Sequence, residues 1–273
     1  MIYVVPSLKA KEKLQEEGKA WAESQGFAYV PRGKRTIQDL MDEYGEDFLV
    51  YSSRGPQIDR PEGSHFFSLN MAELRIQNLR KGQRDHLLEA LMGVKEHDLR
   101  PAAAQPPITV LDCTCGFGAD AAVASFGLPA GSRVDALEVS PLLEAVTAWG
   151  FSHFVHKKDD VTAALRRISL RRDDYRDYLL SDEGPVYDVL YFDPMFQRPV
   201  EASCQFQPVR AIMEHGGLTR ELIERALQKA RRRVVIKERD FRQLCRDFPD
   251  ATLYGGKYSR IGYAVLECDS WKK

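Results

Sequence analysis

Apolar and polar positions alternate with two different periods along the chain. Residues 2–5 and 27–30 read as short strands, and residues 9–24 read as a helix with Leu14 and Trp21 on one side. Ile37, Leu40, Met41 and Tyr44 fall at i, i+3, i+4 and i+7, a helical stripe for which Thr36 is the expected cap. Residues 48–51 close this β-α-β-α-β unit. The Gly, Pro and Ser of residues 52–64 read as a linker or exposed loop. Residues 71–92 carry Leu74, Leu79, Leu87, Leu88 and Leu91 at helical spacing, with Gly82 as a break. Residues 101–107 form a proline-bounded hinge of extended character.

From residue 108 the elements lengthen. Strands are expected at 108–112, 133–139, 151–156, 186–192 and 234–237. Helices are expected from the turn after 112 to about 126, and at 142–149, 163–180 and 219–232. Such alternation indicates a doubly wound parallel sheet, an α/β fold with helices on both faces. Residues 251–267 read instead as an antiparallel hairpin, an ending that suits a methyltransferase better than a dehydrogenase. The expected division is a small N-terminal α/β unit with its linker over 1–64, connecting helices over 65–106, and the main domain over 107–273.

Composition narrows the classes. With 39 Lys and Arg against 40 Asp and Glu, the formal charge of −1 excludes a chain held to nucleic acid by bulk charge. No apolar run approaches the roughly 18 residues of a membrane span, and the first residues lack a signal-peptide pattern. Five cysteines, scattered apart from Cys113 and Cys115, do not make a disulfide framework, and a cytoplasmic setting is expected. Cys113-x-Cys115 lacks the further ligands that zinc needs, and the six histidines show no metal spacing, so no metal is expected.

The most informative stretch is Asp112-Cys113-Thr114-Cys115-Gly116-Phe117-Gly118. A buried strand ends on an acid, and two glycines let the backbone turn tightly and approach a ligand before the next helix. The turn lacks the third glycine of a dinucleotide fingerprint and the Gly-Lys-Ser/Thr of a phosphate loop. Asp112 can face the cationic amino-acid end of S-adenosylmethionine. Glu138, at the next strand end, can accept ribose hydroxyls, and Asp159-Asp160, read as lying past a third strand, can accept the adenine amino group. An acid-lined crevice suits a sulfonium ligand.

A second motif, Asp193-Pro194-Met195-Phe196, stands at the mouth of the apolar strand 186–192. The lone pair of a nucleobase amino group is delocalised into the ring. Methylating it calls for acceptors that stabilise charge developing on nitrogen. Asp193 and the Pro194 carbonyl supply two, and Phe196 offers a face for base stacking.

These blocks, with Leu137-Glu138, the run at 234–237 and Arg260, resemble the bacterial RsmJ family of small-subunit ribosomal RNA guanine-N2 methyltransferases. The resemblance covers about residues 107–261 and extends more weakly to 70–91. It implies a class I, Rossmann-like methyltransferase fold with S-adenosylmethionine as donor. It further implies cofactor contacts at Ala119-Asp120, Glu138-Val139, Asp159-Asp160 and Asp193. Ala119 replaces the family's usual arginine, Asp159-Asp160 its usual serines, and the first fifty residues have no evident counterpart. The expected activity is methyl transfer to a base amino group, guanine N2 of small-subunit rRNA foremost. DNA adenine, a protein or a small-molecule amine, and an inactive cofactor-binding scaffold, are the alternatives. Arg80, Lys81 and Arg84 are the best-placed cations for RNA, and Lys237 and Arg260 at later strand ends are candidates for phosphate.

Overall fold

The computed structural model describes residues 1–94, 105–194, 217–255 and 261–268. These fall into two compact units: the described residues within Met1–Ser68 and Ser140–Phe154, and those within Leu69–Val139, Val155–Pro199 and His215–Lys273.

The first unit opens with β1 (Tyr3–Pro6), α1 (Glu12–Ser24), β2 (Ala28–Tyr29), α2 (Ile37–Tyr44) and β3 (Phe48–Ser52), followed by β4 (Gly55–Arg60) and β5 (Gly63–Phe66). The sheet order is β2-β1-β3-β4-β5, with β1 parallel to β2 and β3 and the rest antiparallel. Strand alternation sends Val5, Phe48 and Val50 to the face that buries Leu40 of α2. Tyr51 points to the other face, against Trp21 and Gly18 of α1. Thr36 and Asp39 close a capping box at the start of α2.

Most of residues 52–64 is therefore strand, β4 and the start of β5 joined by two-residue turns, and not linker. Their polar composition hid this, because the polar side chains are buried but satisfied. Gln57 donates to Asp59 at 2.8 Å, and Arg60 donates to the Glu46 carbonyl at 2.6 Å. Gly55, with φ of 86°, makes the tight turn between β3 and β4.

The second unit contains α3 (Asn70–Arg80), α4 (His86–Met92), β6 (Thr109–Asp112), α5 (Ala119–Gly127) and β7 (Arg133–Glu138). The chain then passes through α6 (Pro141–His153), which groups with the first unit. It continues through α7 (Asp159–Arg166), β8 (Ile168–Arg172), α8 (Tyr175–Leu180) and β9 (Val189–Phe192). Beyond these come α9 (Arg220–Lys229), β10 (Arg233–Glu238), α10 (Arg242–Asp247), β11 (Thr252–Tyr254) and β12 (Gly262–Glu267). The sheet order is β11-β12-β10-β9-β6-β7-β8; β12 alone runs antiparallel to its neighbours. Strand order reverses between β6 and β9, so a crevice is expected at their carboxyl ends. One face of the sheet buries Leu111, Leu190, Phe192 and Val234 against Tyr175, Tyr178 and Ile223 of α8 and α9.

Two further expectations are corrected. Residues 151–156 are not a strand: α6 starts at Pro141, capped by Ser140, and runs to His153. Residues 163–180 are not one helix but α7, β8 and α8. The run Arg171-Arg172 resembled a solvated helix face because β8 is an edge strand, where polar side chains are tolerated. Asp159 and Asp160 thus open α7 ahead of the third strand of the sheet, and Asp173 and Asp174 are the acids that follow it.

Within the first unit, Gly150 of α6 lies against Phe67, where an added Cβ would stand 1.9 Å from the ring. Gly150→Ala should gain about 1 kcal/mol in helix propensity. Displacing the buried ring should cost more, for a net loss of about 1–3 kcal/mol, read as a lower urea midpoint.

Candidate active site

Four strand ends meet at the carboxyl edge of the larger sheet. β6 ends at Asp112 and β7 at Glu138, β9 runs into Asp193-Pro194, and β10 carries Lys237. Ile236 pairs with Phe192 in register, so Lys237 and Asp193 emerge side by side. The turn after β6 uses Gly116 and Gly118 at φ of 54° and 75°, the latter capping α5. A Cβ at Gly116 would meet only the Thr114 carbonyl, at 3.9 Å, leaving room for close approach to the backbone.

Hydrogen bonds lace this turn to both neighbouring strands. Gly116 N–H donates to Glu138 Oε2 at 2.9 Å, and Cys115 N–H to the Leu137 carbonyl at 2.9 Å. Cys113 N–H donates to the Tyr191 carbonyl at 2.8 Å, and Asp193 N–H to Thr114 Oγ1 at 2.6 Å. Asp112 accepts from Thr114 N–H at 3.1 Å. Asp173 N–H donates to the Glu138 carbonyl at 3.2 Å, which brings the start of the α8 turn beside the end of β7.

Beneath the turn lies a chain of buried charges. Lys237 Nζ donates to Asp193 Oδ2 at 2.6 Å and to Asp120 Oδ2 at 2.8 Å. Tyr191 O–H donates to Asp120 Oδ2 at 2.7 Å, and Arg75 donates to Asp120 Oδ1. Arg75 also grips both oxygens of Asp85 at 2.8 Å, and Asp85 in turn caps α4. Burial alone would raise the Asp120 carboxyl; Lys237 and then Arg75 outweigh it and hold the group below its ordinary range. Burial pushes Asp193 up to about 6, opposed by Lys237 and assisted by Asp120. Burial opposes the charge on Lys237, but Asp120 and Asp193 together raise its pKa. Asp112 is raised well above the usual carboxylate range, mainly by burial.

The residues named from the sequence fall into three groups. Asp112, Gly116, Gly118, Glu138, Asp193 and Pro194 gather at the strand ends, with Ala119 opening α5 and half-buried Val139 following Glu138. Asp120 lies behind them, its oxygens filled by Lys237, Tyr191 and Arg75. Asp159 and Asp160 are exposed at the start of α7, where Asp160 pairs with Arg80. Arg84 pairs with Glu89, Lys81 is exposed, and the ammonium of Lys237 goes to two carboxylates. Phe196 and Arg260 lie outside the described residues, as do Met195 and His215. Cys113 packs in the apolar core, and Cys115 is buried in the turn. The sequence reading had no signal for the pairing of Arg75, Tyr191 and Asp85 around Asp120, because all three are remote from it along the chain. Asp173 was hidden by the misread strand. Among the described residues no helix is long and apolar enough to cross a membrane. Among the same residues, no group of three or more His, Cys, Asp or Glu is placed to hold a metal ion.

A parallel sheet reversing at a glycine turn and closed by one antiparallel strand is the fold of a class I methyltransferase. The family model "Putative SAM-dependent methyltransferase" matches residues 71–262, and the chain belongs to that family. Among curated relatives, it is 28% identical over 236 residues to "Uncharacterized protein YpiP" of Bacillus subtilis (strain 168), covering 86% of this chain and 88% of that protein. It is 29% identical over 236 residues to Ribosomal RNA small subunit methyltransferase J of Thioalkalivibrio sulfidiphilus (strain HL-EbGR7), covering 84% of each. The solved SAM-dependent methyltransferase NGO1261 from Neisseria gonorrhoeae is similar in fold, with a TM-score of 0.63 at 16% identity over 98% of this chain and 96% of that chain.

The donor set fits S-adenosylmethionine, the cofactor of the family. Carboxylates end neighbouring strands where hydroxyl and ammonium donors need acceptors, and the open backbone at Gly116 lets a ligand come close. The electrostatics of Asp112 make a test possible. Its folded-state pKa lies above the unfolded value, so the fold loses stability as pH rises above 3.8. Asp112→Asn should therefore melt higher than the parent at pH 7, on the order of a few degrees, without added cofactor. The gap should close toward pH 4 in thermal scans.

Proposed function

We propose that this methyltransferase acts on the exocyclic amino group of a nucleobase in RNA, and that its substrate is guanine N2 of small-subunit rRNA. The observation that carries the reading is the placement of Asp193-Pro194 at the end of β9, tied through Asp193 N–H to the turn that follows β6. The curated relatives named Ribosomal RNA small subunit methyltransferase J support small-subunit ribosomal RNA as the substrate class. A ribosomal substrate implies work in the cytoplasm.

When bound, S-adenosylmethionine supplies an electrophilic methyl group on a sulfonium. The chain's own contribution is positioning and electrostatics. In this reading Glu138 accepts the ribose hydroxyls, and Asp112 faces the cationic amino-acid end. Asp173, past the true third strand, takes the adenine role that the sequence reading gave to Asp159-Asp160. Asp193 and the Pro194 carbonyl accept the two amino hydrogens, so that positive charge developing on nitrogen is met by fixed acceptors. Proline sets φ at this corner and removes a competing N–H. The base must be unpaired or turned out of a helix to present its amino group. Holding it in line accounts for much of the barrier reduction.

Tritiated methyl transfer to RNA, DNA and protein tests the substrate. Label is expected in small-subunit RNA, recovered as N2-methylguanosine by nucleoside mass spectrometry; label confined to protein or DNA would overturn the reading. Asp193→Ala should lower kcat by about 100-fold or more. Glu138→Ala should weaken S-adenosylmethionine binding in calorimetry by about 10-fold or more, the loss of hydrogen bonds to a charged acceptor. Unchanged affinity would remove its ribose role.

A further inference from the structure

We propose that Lys237 is a positioning residue for methyl transfer: clamped by Asp120, its ammonium fixes the orientation and charge of the Asp193 carboxylate. The inference rests on the reading of Asp193 as the acceptor of the substrate amine. It stands on geometry that no strand-end motif predicted. Lys237 and Asp193 are neighbours across the β9–β10 register, one step beyond the pair Ile236 and Phe192. The Nζ–Oδ2 distance is 2.6 Å, and the Lys237 side chain is 14% exposed against 29% for Asp193. The ammonium is thus the inner partner and the carboxylate the outer one, toward the crevice.

Lys237 cannot easily turn away to serve a phosphate. Asp120 takes a second ammonium proton at 2.8 Å, and Asp120 is itself held by Tyr191 and Arg75. Arg75 is fastened by both oxygens of Asp85. On the other side, the backbone of Asp193 is fixed by its N–H bond to Thr114. The bond to Lys237 engages Oδ2, so Oδ1 is the oxygen this arrangement aims at an amine.

Among the described residues, the charged and titratable groups around Asp193 come from several elements. Lys237 and Glu238 belong to β10, Asp120 to α5, Asp112 to β6 and Tyr191 to β9, while Tyr263 of β12 faces Lys237. Asp120, Glu238 and burial favour a protonated Asp193, a weaker acceptor for an amine hydrogen than the carboxylate; Lys237 opposes them. An opposite charge at this range typically lowers a carboxyl pKa by about 1–3 units. Losing it should move ionisation of Asp193 upward, across neutral pH.

The test uses the full chain with side-chain carbon-13 aspartate labelling, the Asp193 signal assigned with Asp193→Asn. In the parent its titration midpoint should fall near 6. In Lys237→Met it should rise by roughly 1–3 pH units, and Lys237→Arg should bring it back toward the parent. The acid limb of kcat for RNA methylation should move with it, so that Lys237→Met recovers activity at alkaline pH. A midpoint unmoved in Lys237→Met, or activity lost equally at every pH, overturns the inference. Should Lys237→Met fail to fold, Lys237→Gln removes the same charge and should raise the midpoint likewise; no movement, or a downward one, overturns it equally. The NMR titration needs no RNA. Absence of label in RNA with the parent enzyme therefore defeats the substrate reading, whereas an unmoved midpoint defeats the role of Lys237.

Discussion

The carboxyl edge of the larger sheet gathers Asp112, Asp120 and Asp193 in one buried place, and everything at the site depends on how their charges are tolerated. Two carboxylates about 4 Å apart repel by roughly 4 kcal/mol at an effective dielectric of 20, which no fold of ordinary stability carries several times over. The structure answers in two ways. Asp112 is driven toward its neutral form, mainly by burial, whereas Asp120 is placed between two cations and stays ionised. Asp193, at the rim, lies between these cases. Such a row of ion pairs is weak ground for stability, since apolar replacements are often as stable. Its value is that each member has one geometry.

That geometry is built on an apolar base. β9 is buried along its whole length, with Leu190 and Phe192 against the helices of one face and Tyr175 edge-on to Phe192 at 5.5 Å. A strand so enclosed cannot slide in register by one residue without sending every side chain into the packing of the opposite face, so the position of the residue that follows it is fixed. Lys237 inherits the same precision from β10, whose Val234 and Ile236 join the same core. The polar chain and the apolar core are therefore one construction: packing fixes the strand ends, and the ion pairs fix the side chains that leave them.

Much of this was legible in the chain. The apolar runs that end at Asp112, Glu138 and Phe192 stand out because central parallel strands are buried on both faces. The glycines at 116 and 118 stand out because only glycine adopts those backbone angles cheaply. What could not be read shares a physical cause. β8 lies at the edge of its sheet and β4 carries satisfied buried polar side chains, so neither shows the apolar signature of a strand. The partners of Asp120 are set by tertiary packing: Arg75 lies 45 residues before it and Lys237 117 residues after it. A strand end can be found from local pattern, but the counter-ion that makes an acid tolerable there cannot.

Tertiary pairing also changes the meaning of the basic run in α3 and the turn after it. Read along the chain, Arg75, Arg80 and Arg84 look like one surface for an anionic partner. In the fold each cation turns to a carboxylate of its own unit: Arg75 to Asp85 and Asp120, Arg80 to Asp160 while lying over Phe126, and Arg84 to Glu89. The exposed pairs are worth little energy singly. Arg75 is different, because it is largely withdrawn from water and touches the carboxylate that steadies Lys237. Helix α3 is in this way connected to the strand-end acid Asp193 through three consecutive charge contacts, so a change there reaches the end of β9 from a distance. A chain with no excess of positive charge cannot rely on bulk attraction for a polyanion. For the RNA substrate proposed above, selectivity then rests on the strand-end acids that this charge network holds in place.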